Sequence, residues 1–192
     1  MTESRAVVVS GRREQRKAAT RLAIIRAAIE LAARDGYHRT TVEGIATRAG
    51  VSAATVFNYF PTKIDIYFAD ADLYTKVPPL TPGPSPHQTA AQAVLALARN
   101  GQWTLPLSDA LTGAWFDLVQ HEPDLAAHRV NLILGAAPHL AAALREIHPE
   151  LDPVDAVAIA GAVLGACASV LTHTDGPVEE RLLAAARTTT NR

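Results

Sequence analysis

The segment from residue 36 to residue 63 most narrowly limits the fold, because its turn and cap residues divide it into short helices. Thr40 and Glu43 have the three-residue spacing of a capping box, which starts a helix. Gly50 tolerates a positive φ and Ser52 is a favoured N-cap, so this helix ends and another begins within three residues. Two short helices joined by such a glycine turn predict a helix-turn-helix.

The preceding helix is predicted from apolar residues that recur at steps of three and four. They are Leu22, Ile25, Ile29 and Ala32. This helix is expected to run from about Arg12 to Asp35 and to end at Gly36. A fourth helix is predicted to open at Pro61 and to continue to about Lys76.

The remaining two thirds of the chain also read as helices, and no strand-like alternation interrupts them. The stretch from Val77 to Pro86 holds five prolines and is predicted to be a loop. Further helices are predicted over residues 87–100, 108–121, 124–147, 153–173 and 177–187. The last but one has Asp152 as its N-cap and Pro153 in its first turn.

These patterns predict an all-α fold of about nine helices in two domains. Residues 12–60 would form a three-helix helix-turn-helix head, and residues 61–192 a helical body. Residues 1–11 are expected to be a flexible basic arm. The net charge of -1 conceals an uneven distribution, because residues 1–63 carry eleven Lys/Arg against five Asp/Glu. A basic head and an acidic body indicate different partners.

Several classes of function have no support in the sequence. Cys167 is the one cysteine, so no intramolecular disulfide and no zinc-ligand spacing exist. His121 and His128 flank Pro123, which breaks helical register, so no metal site is expected. The residues before Lys17 lack a signal-peptide core, and no nucleophile motif or phosphate loop is present. We therefore expect a cytoplasmic protein that is not an enzyme and needs no cofactor.

The stretch GYHRTTVEGIATRAGVSAATVFNYFPTKIDI, residues 36–66, resembles the signature of TetR-type transcription regulators. The matching elements are Gly36-Tyr37, the Thr-Thr opening, Ile45-Ala46, Ala49-Gly50-Val51-Ser52, Tyr59-Phe60 and Lys63. The resemblance implies a DNA-binding head joined through the fourth helix to an all-α body that dimerises and binds a ligand. It covers the head in sequence and only general architecture beyond it.

The resemblance also implies which head residues meet DNA. Phosphate contacts would fall on Thr41, Ser52, Tyr59 and Lys63, and groove-facing positions on Ala53, Ala54, Thr55 and Asn58. Hydroxyls and N–H groups at helix N-termini suit phosphate oxygens, which agrees with this assignment. The alanines can touch only thymine methyl groups, so Thr55 and Asn58 are the hydrogen-bonding candidates.

Two further sets of head residues are assigned from their chemistry. Arg12, Arg13 and Lys17 are expected to follow the minor groove or the flanking phosphates, the alternative being a solvated tail. The aromatic residues Tyr37, Phe57 and Phe60 are expected mainly to pack the head.

The penultimate helix has a heptad pattern that predicts a dimer interface with the last helix. Its members are Val154, Val157, Gly161, Leu164, Ala168 and Leu171, together with Gly165 and with Leu182 and Leu183 of the last helix. A membrane span is the rejected alternative, because the uncharged run Ala156–Leu171 is shorter than the roughly 20 residues that cross a bilayer.

The middle helices are the expected place of an effector pocket. Its candidate residues are Trp103, Trp115, Phe116 and His121, although ordinary core packing is the favoured explanation of Trp115 and Phe116. The sequence thus favours a homodimeric repressor that binds double-stranded operator DNA and is released by an unidentified small molecule. The alternative is a ligand-independent DNA-binding regulator whose body only dimerises or recruits a protein.

Overall fold

A computed structural model describes residues 3–69, 79–99, 107–174 and 176–190, which form ten helices and no β-strand. In chain order the helices are α1 (Glu3–Asp35), α2 (Val42–Ala49), α3 (Ala53–Tyr59), α4 (Lys63–Tyr67), α5 (Pro86–Arg99), α6 (Asp109–His121), α7 (Pro123–Gly135), α8 (Ala137–Ile147), α9 (Pro153–His173) and α10 (Val178–Thr190). The predicted all-α class is confirmed.

The chain divides into two compact units, of which the first comprises Met1–Ala69 and Pro106–Leu118. The first unit is built around α1, whose buried face holds residues at the predicted helical spacing. These include Ile25, Ile29 and Ala32, while Leu22 is half-buried. The unit therefore contains α4 and most of α6 in addition to the three helices predicted for the head.

Helix α1 begins at Glu3, nine residues before the predicted start and within the stretch expected to be a flexible arm. The stretch contains no proline, and Gly11 is its one glycine, so nothing in it forces the helix to break. Helix α4 ends at Tyr67 rather than near Lys76, and residues 70–78 lie outside the described part of the chain.

The second unit comprises Asp70–Leu105 and Val119–Arg192, and its core lies around α9. Asp152 caps α9 as predicted, since its side chain accepts a hydrogen bond from Val154 N at 2.8 Å. The single helix predicted over residues 124–147 is wrong, because the chain forms α7 and α8 with Ala136 between them. Pro138 explains the break, since a proline inside a helix removes an N–H donor and clashes with the carbonyl four residues earlier.

The described part of the proline-rich loop, residues 79–85, is non-helical as predicted and is fastened by Thr89 of α5. The fully buried Thr89 hydroxyl accepts a hydrogen bond from Gly83 N at 2.9 Å and lies 3.1 Å from the Ser85 carbonyl. It also lies 3.0 Å from Nε2 of His148, beyond the end of α8. One hydroxyl thereby connects the loop, α5 and the α8 end.

Helix α9 is apolar on all sides, but its two faces have different environments. Eight of its residues are buried, including Leu164, Ala168 and Leu171, and belong to the core of the second unit. Leu182 of α10 is buried in the same core. The expectation that these four residues form a dimer interface is wrong, because their side chains already pack within one chain.

Among the described residues, α9 is the one helix long and apolar enough to cross a membrane by length and composition. A core helix passes the same test, and one face of α9, around Val163 and Cys167, is buried in the core of the second unit. Burial raises the pKa of the Cys167 thiol to about 12, so the thiol stays neutral and behaves as a small apolar side chain.

Candidate nucleic-acid interface

The turn between α2 and α3 has the predicted backbone. Gly50 adopts φ 70°, a left-handed conformation that side chains disfavour, and its N–H donates to the end of α2. Val51 N donates to Ala46 O at 3.0 Å, which closes the turn. Ser52 then caps α3, because its hydroxyl accepts from Thr55 N at 3.1 Å. These contacts fix the angle at which α3 leaves α2.

The start of α2 differs from the prediction by one residue. Thr41, not Thr40, is the N-cap, and its hydroxyl accepts from Gly44 N at 3.1 Å. Thr40 is buried, and its hydroxyl donates to Gly36 O at 3.0 Å, so it belongs to the turn after α1. Thr41 is exposed at the helix N-terminus, where a hydroxyl and N–H groups suit an anion.

Packing beneath the two helices holds them on α1. Phe60 is buried, and the Arg21 guanidinium lies 5.4 Å from the centre of its ring. Tyr37 meets Tyr67 edge to face at 5.3 Å, and the Tyr67 hydroxyl donates to Ala28 O at 3.2 Å. The packing roles predicted for Tyr37 and Phe60 are confirmed. Burial raises the Tyr67 pKa, so this hydroxyl remains a donor.

The outer face of α3 is formed by three exposed residues at helical spacing, Ala54, Phe57 and Asn58. Phe57 is 50% exposed, so the expectation that it packs inside the head is wrong. The buried Val56 precedes it, and neighbouring residues on a helix point about 100° apart. Its position one residue after the buried apolar anchor was therefore the signal that could have placed it outside.

The other predicted contact residues of α3 are less accessible than this face. Ala53, Thr55 and Tyr59 are half-buried. The Thr55 hydroxyl lies 2.8 Å from that of Ser52, so the two hydroxyls hydrogen-bond each other at the start of the helix. Thr55 is consequently a weaker candidate for reading bases than Asn58.

Lys63 begins α4, as predicted, and its side chain points back to the head. Its ammonium group donates to Tyr37 O at 3.0 Å and to Thr40 O at 3.2 Å, and lies 4.0 Å from the centre of the Tyr37 ring. The side chain thus binds the turn between α1 and α2 instead of extending away from the head. Lys63 therefore positions the start of α2, and its phosphate contact stays a prediction.

Part of the exposed positive charge of the head lies along the first part of α1, and Arg26 and Arg39 are exposed as well. All residues from 11 to 19 are exposed, including Arg12, Arg13 and Lys17. Other bases are neutralised by acids: Arg48 lies 2.7 Å from Glu30, and Arg34 lies 2.6 Å from Asp35. The hydrogen bond from Arg34 holds the Asp35 pKa below its usual value.

Two of the residues predicted to line an effector pocket, Trp115 and Phe116, pack against each other in the first unit. Trp115 is buried in the first unit, where its indole donates to Tyr67 O at 2.7 Å and packs against Phe68 and Phe116. His121 is exposed at the end of α6, and Trp103 lies outside the described residues. Trp115 and Phe116 therefore belong to the core-packing alternative. In the described part of the chain, no three His, Cys, Asp or Glu residues form a group that could hold a metal.

The remaining predicted dimer residues share one uncovered face of α9. Val154 is 75% exposed and Val157 is 50% exposed. A Cβ atom added at Gly161 or Gly165 would meet nothing within 4 Å, so this face is open within one chain. On α10, Leu183 is half-buried.

A family model for bacterial regulatory proteins of the tetR family matches residues 24–69. The transcriptional regulator RutR of Escherichia coli K12 is 39% identical over 64 residues, which are 33% of this chain and 30% of RutR. The fatty acid metabolism regulator of Bacillus subtilis is 49% identical over 43 residues, 22% of either chain. The chain thus spans less than a third of the length of these curated relatives.

Beyond the head, the chain is similar to known structures in fold, at low sequence identity. The crystal structure of a TetR-family regulator from Streptomyces coelicolor superposes with a TM-score of 0.57 at 19% identity, covering 90% of this chain and 93% of that one. Fold and head together define a helical protein with an N-terminal helix-turn-helix. Within this class, the head is similar to the tetR family model over residues 24–69, and the fold of the chain is similar to that of TetR-family regulators.

Proposed function

We propose that this chain is a transcription regulator that binds double-stranded operator DNA in the cytoplasm as a homodimer. The observation that carries the proposal is the outer face of α3, where Ala54, Phe57 and Asn58 are exposed on a helix held rigidly by the head. A recognition helix of this kind fits the major groove, and the hydroxyls of Thr41 and Ser52 at the helix starts suit the flanking phosphates. This role is that of a binding protein and not of an enzyme.

The first part of α1 supplies the electrostatic term of binding. Arg12, Arg13 and Lys17 are exposed on a helix that extends before the packed part of the head. Each phosphate that such a base neutralises releases condensed counterions, so affinity falls steeply with salt. These residues therefore contribute affinity that is largely independent of sequence.

The open face of α9 is proposed to receive a second copy of this chain. Val154 and Val157 are exposed apolar side chains, and Gly161 and Gly165 let another helix approach closely. A twofold pair would present two α3 helices, which can read inverted half-sites about one turn, roughly 34 Å, apart. The similarity of the head to the tetR family model supports the same assembly.

We further propose that the protein represses transcription and that an effector bound by the second unit lowers its affinity for DNA. The support is the similarity of the head to the tetR family model together with the division of the chain into two compact units. A ligand shifts DNA affinity only by its own difference in affinity for the two states. We propose no residues for the effector site, because Trp115 and Phe116 take part in the packing of the first unit.

The proposal is tested by selecting duplexes from a random double-stranded 30-mer library with the full-length chain in dilute salt. We expect enrichment of an inverted repeat, and we expect the variant with Arg12, Arg13 and Lys17 all changed to Ala to bind it weakly with a smaller salt slope. A matched control changes the exposed Arg187 of α10 to Ala, which should bind normally. No enrichment, or equal effects of both variants, would contradict the proposal.

A further inference from the structure

We infer that α3 recognises thymine methyl groups through Phe57 and Ala54 and adenine through Asn58, so that each half-site has an A·T core. The inference rests on the proposed function and adds the class of sequence that is read. Its basis is the composition of the one face of α3 that is exposed.

The geometry allows these three side chains to reach neighbouring base pairs. With a rise of 1.5 Å per residue, Ala54 and Asn58 lie about 6 Å apart along the helix axis. Successive nucleotides of one strand are about 3.4 Å apart, so the face spans two to three base pairs. Phe57 lies between the other two along the helix and is the largest side chain on this face.

The chemistry of this face selects against guanine and cytosine. Guanine is most often read by Arg or Lys, and α3, described throughout its length, contains neither. The next base along the chain after α3, Lys63, donates to two carbonyls of the head. Covering the polar groups of a G·C edge with the Phe57 ring would leave them without partners, which costs free energy.

Thymine offers the matching surface. Its C5-methyl is the apolar group on the floor of the major groove, and apolar side chains make contact with it. Asn58 can pair with adenine N6 and N7, a bidentate contact. The Thr55 hydroxyl adds little, because it is engaged with Ser52 at 2.8 Å. The exposed face therefore holds two apolar groups and one amide, all suited to A·T pairs.

The expected loss of DNA affinity follows from the free energy of burying one thymine methyl group. Removing one methyl group from an apolar contact weakens binding about fourfold, since a buried CH₂ contributes about 0.8 kcal/mol. Deoxyuridine differs from thymidine by that methyl alone, so it changes the contact without changing any hydrogen bond. Two half-sites read by a dimer would together lose about sixteenfold.

The experiment begins with the duplex selected from the random library and replaces thymidine by deoxyuridine at one position at a time. We expect about a fourfold loss at one or two core positions of each half-site, and no loss outside the protected region. The same replacements should have little further effect on the Phe57→Ala variant, which lacks the ring that meets the methyl. Since the uracil test alters only the DNA, it remains decisive even if that variant folds poorly.

The outcomes separate the inference from the proposed function. A selected inverted repeat with a G·C core, or uracil replacements that never weaken binding by the full-length chain, would overturn the inference and leave DNA binding standing. Selection of no duplex in dilute salt would overturn the proposed function and this inference with it.

Discussion

Replacing Lys63 by Met tests whether this residue positions α2 or contacts phosphate. Methionine keeps the apolar stem but removes the ammonium group, which donates to Tyr37 O and Thr40 O and lies over the Tyr37 ring. A hydrogen bond to a charged group contributes about 1.5–3 kcal/mol, and a cation–π contact about 0.5–1 kcal/mol where exposed.

The loss of folding stability in the Lys63→Met variant is smaller than the sum of these two contributions. Lys63 is half-buried, and Tyr37 O also accepts from Thr40 N at 3.2 Å, so solvent and a second donor offset part of it. We expect the free energy of unfolding to fall by about 2 kcal/mol, measured by urea denaturation followed by circular dichroism. The matched control is Lys17→Met, which removes the same charge from an exposed site and should change stability by less than about 0.5 kcal/mol.

The salt dependence of DNA binding separates the two roles of lysine. A phosphate contact contributes about 0.9 to the slope of log affinity against log salt. We expect Lys17→Met to lower the slope by about this amount per chain and Lys63→Met to change it much less. Unchanged stability of the Lys63 variant together with a reduced slope would refute the positioning role and restore the phosphate contact.

Three other predictions concern the second unit. Changing Val157 to Glu should abolish dimerisation in analytical ultracentrifugation while leaving helix content intact, because it places a charge in the apolar interface. The control variant Ala142→Glu, at an exposed position of α8, should remain dimeric. A dimeric Val157→Glu variant would exclude the α9 face as the dimer interface. Thr89→Val should lower the free energy of unfolding by about 1–3 kcal/mol, because Gly83 N loses a buried acceptor, whereas a neutral result would show that the hydroxyl does not fasten the loop. Because the Cys167 pKa rises from 9.0 to about 12 on folding, the unfolded state loses this proton first, and stability should fall between these pH values at up to about 1.4 kcal/mol per unit. Cys167→Ala should flatten that part of the profile, and an identical profile would contradict the burial of the thiol.

The local features of the head were predictable because each depends on a few neighbouring residues. Gly50 and Ser52 set the α2–α3 turn through contacts within five residues. The adjacent pair Thr40 and Thr41 was ambiguous, because either hydroxyl can cap a helix. Burial of Thr40 beneath the turn decides between them, and burial is a property of the tertiary structure.

Longer-range features could not be read from the sequence. Lys63 binds carbonyls 23 and 26 residues earlier in the chain, a contact that no local pattern encodes. In α9, apolar residues occur on every side, so the heptad pattern could not distinguish Leu164, which packs in the core, from Val157, which is exposed. A helix that is hydrophobic all round carries no directional signal.

The two prolines at helix starts differ in how clearly the sequence indicates the helix boundary. The cap at Asp152 and Pro153 follows a strong preference of helix starts and was correct. Pro138 lies at the same kind of position in α8 and interrupts the helix there, whereas the apolar pattern alone continues across it and predicts one helix over residues 124–147. Prolines in continuous apolar periodicity therefore indicate a helix boundary even when the pattern suggests otherwise.

The most direct test of the account is a hydroxyl-radical footprint of the full-length protein on its selected duplex, combined with the number of chains bound per duplex. Two recognition helices in successive major grooves should give two protected patches about 34 Å apart, with two chains on each duplex. One chain per duplex, a single protected patch, or no affinity for double-stranded DNA at the lowest salt would contradict it.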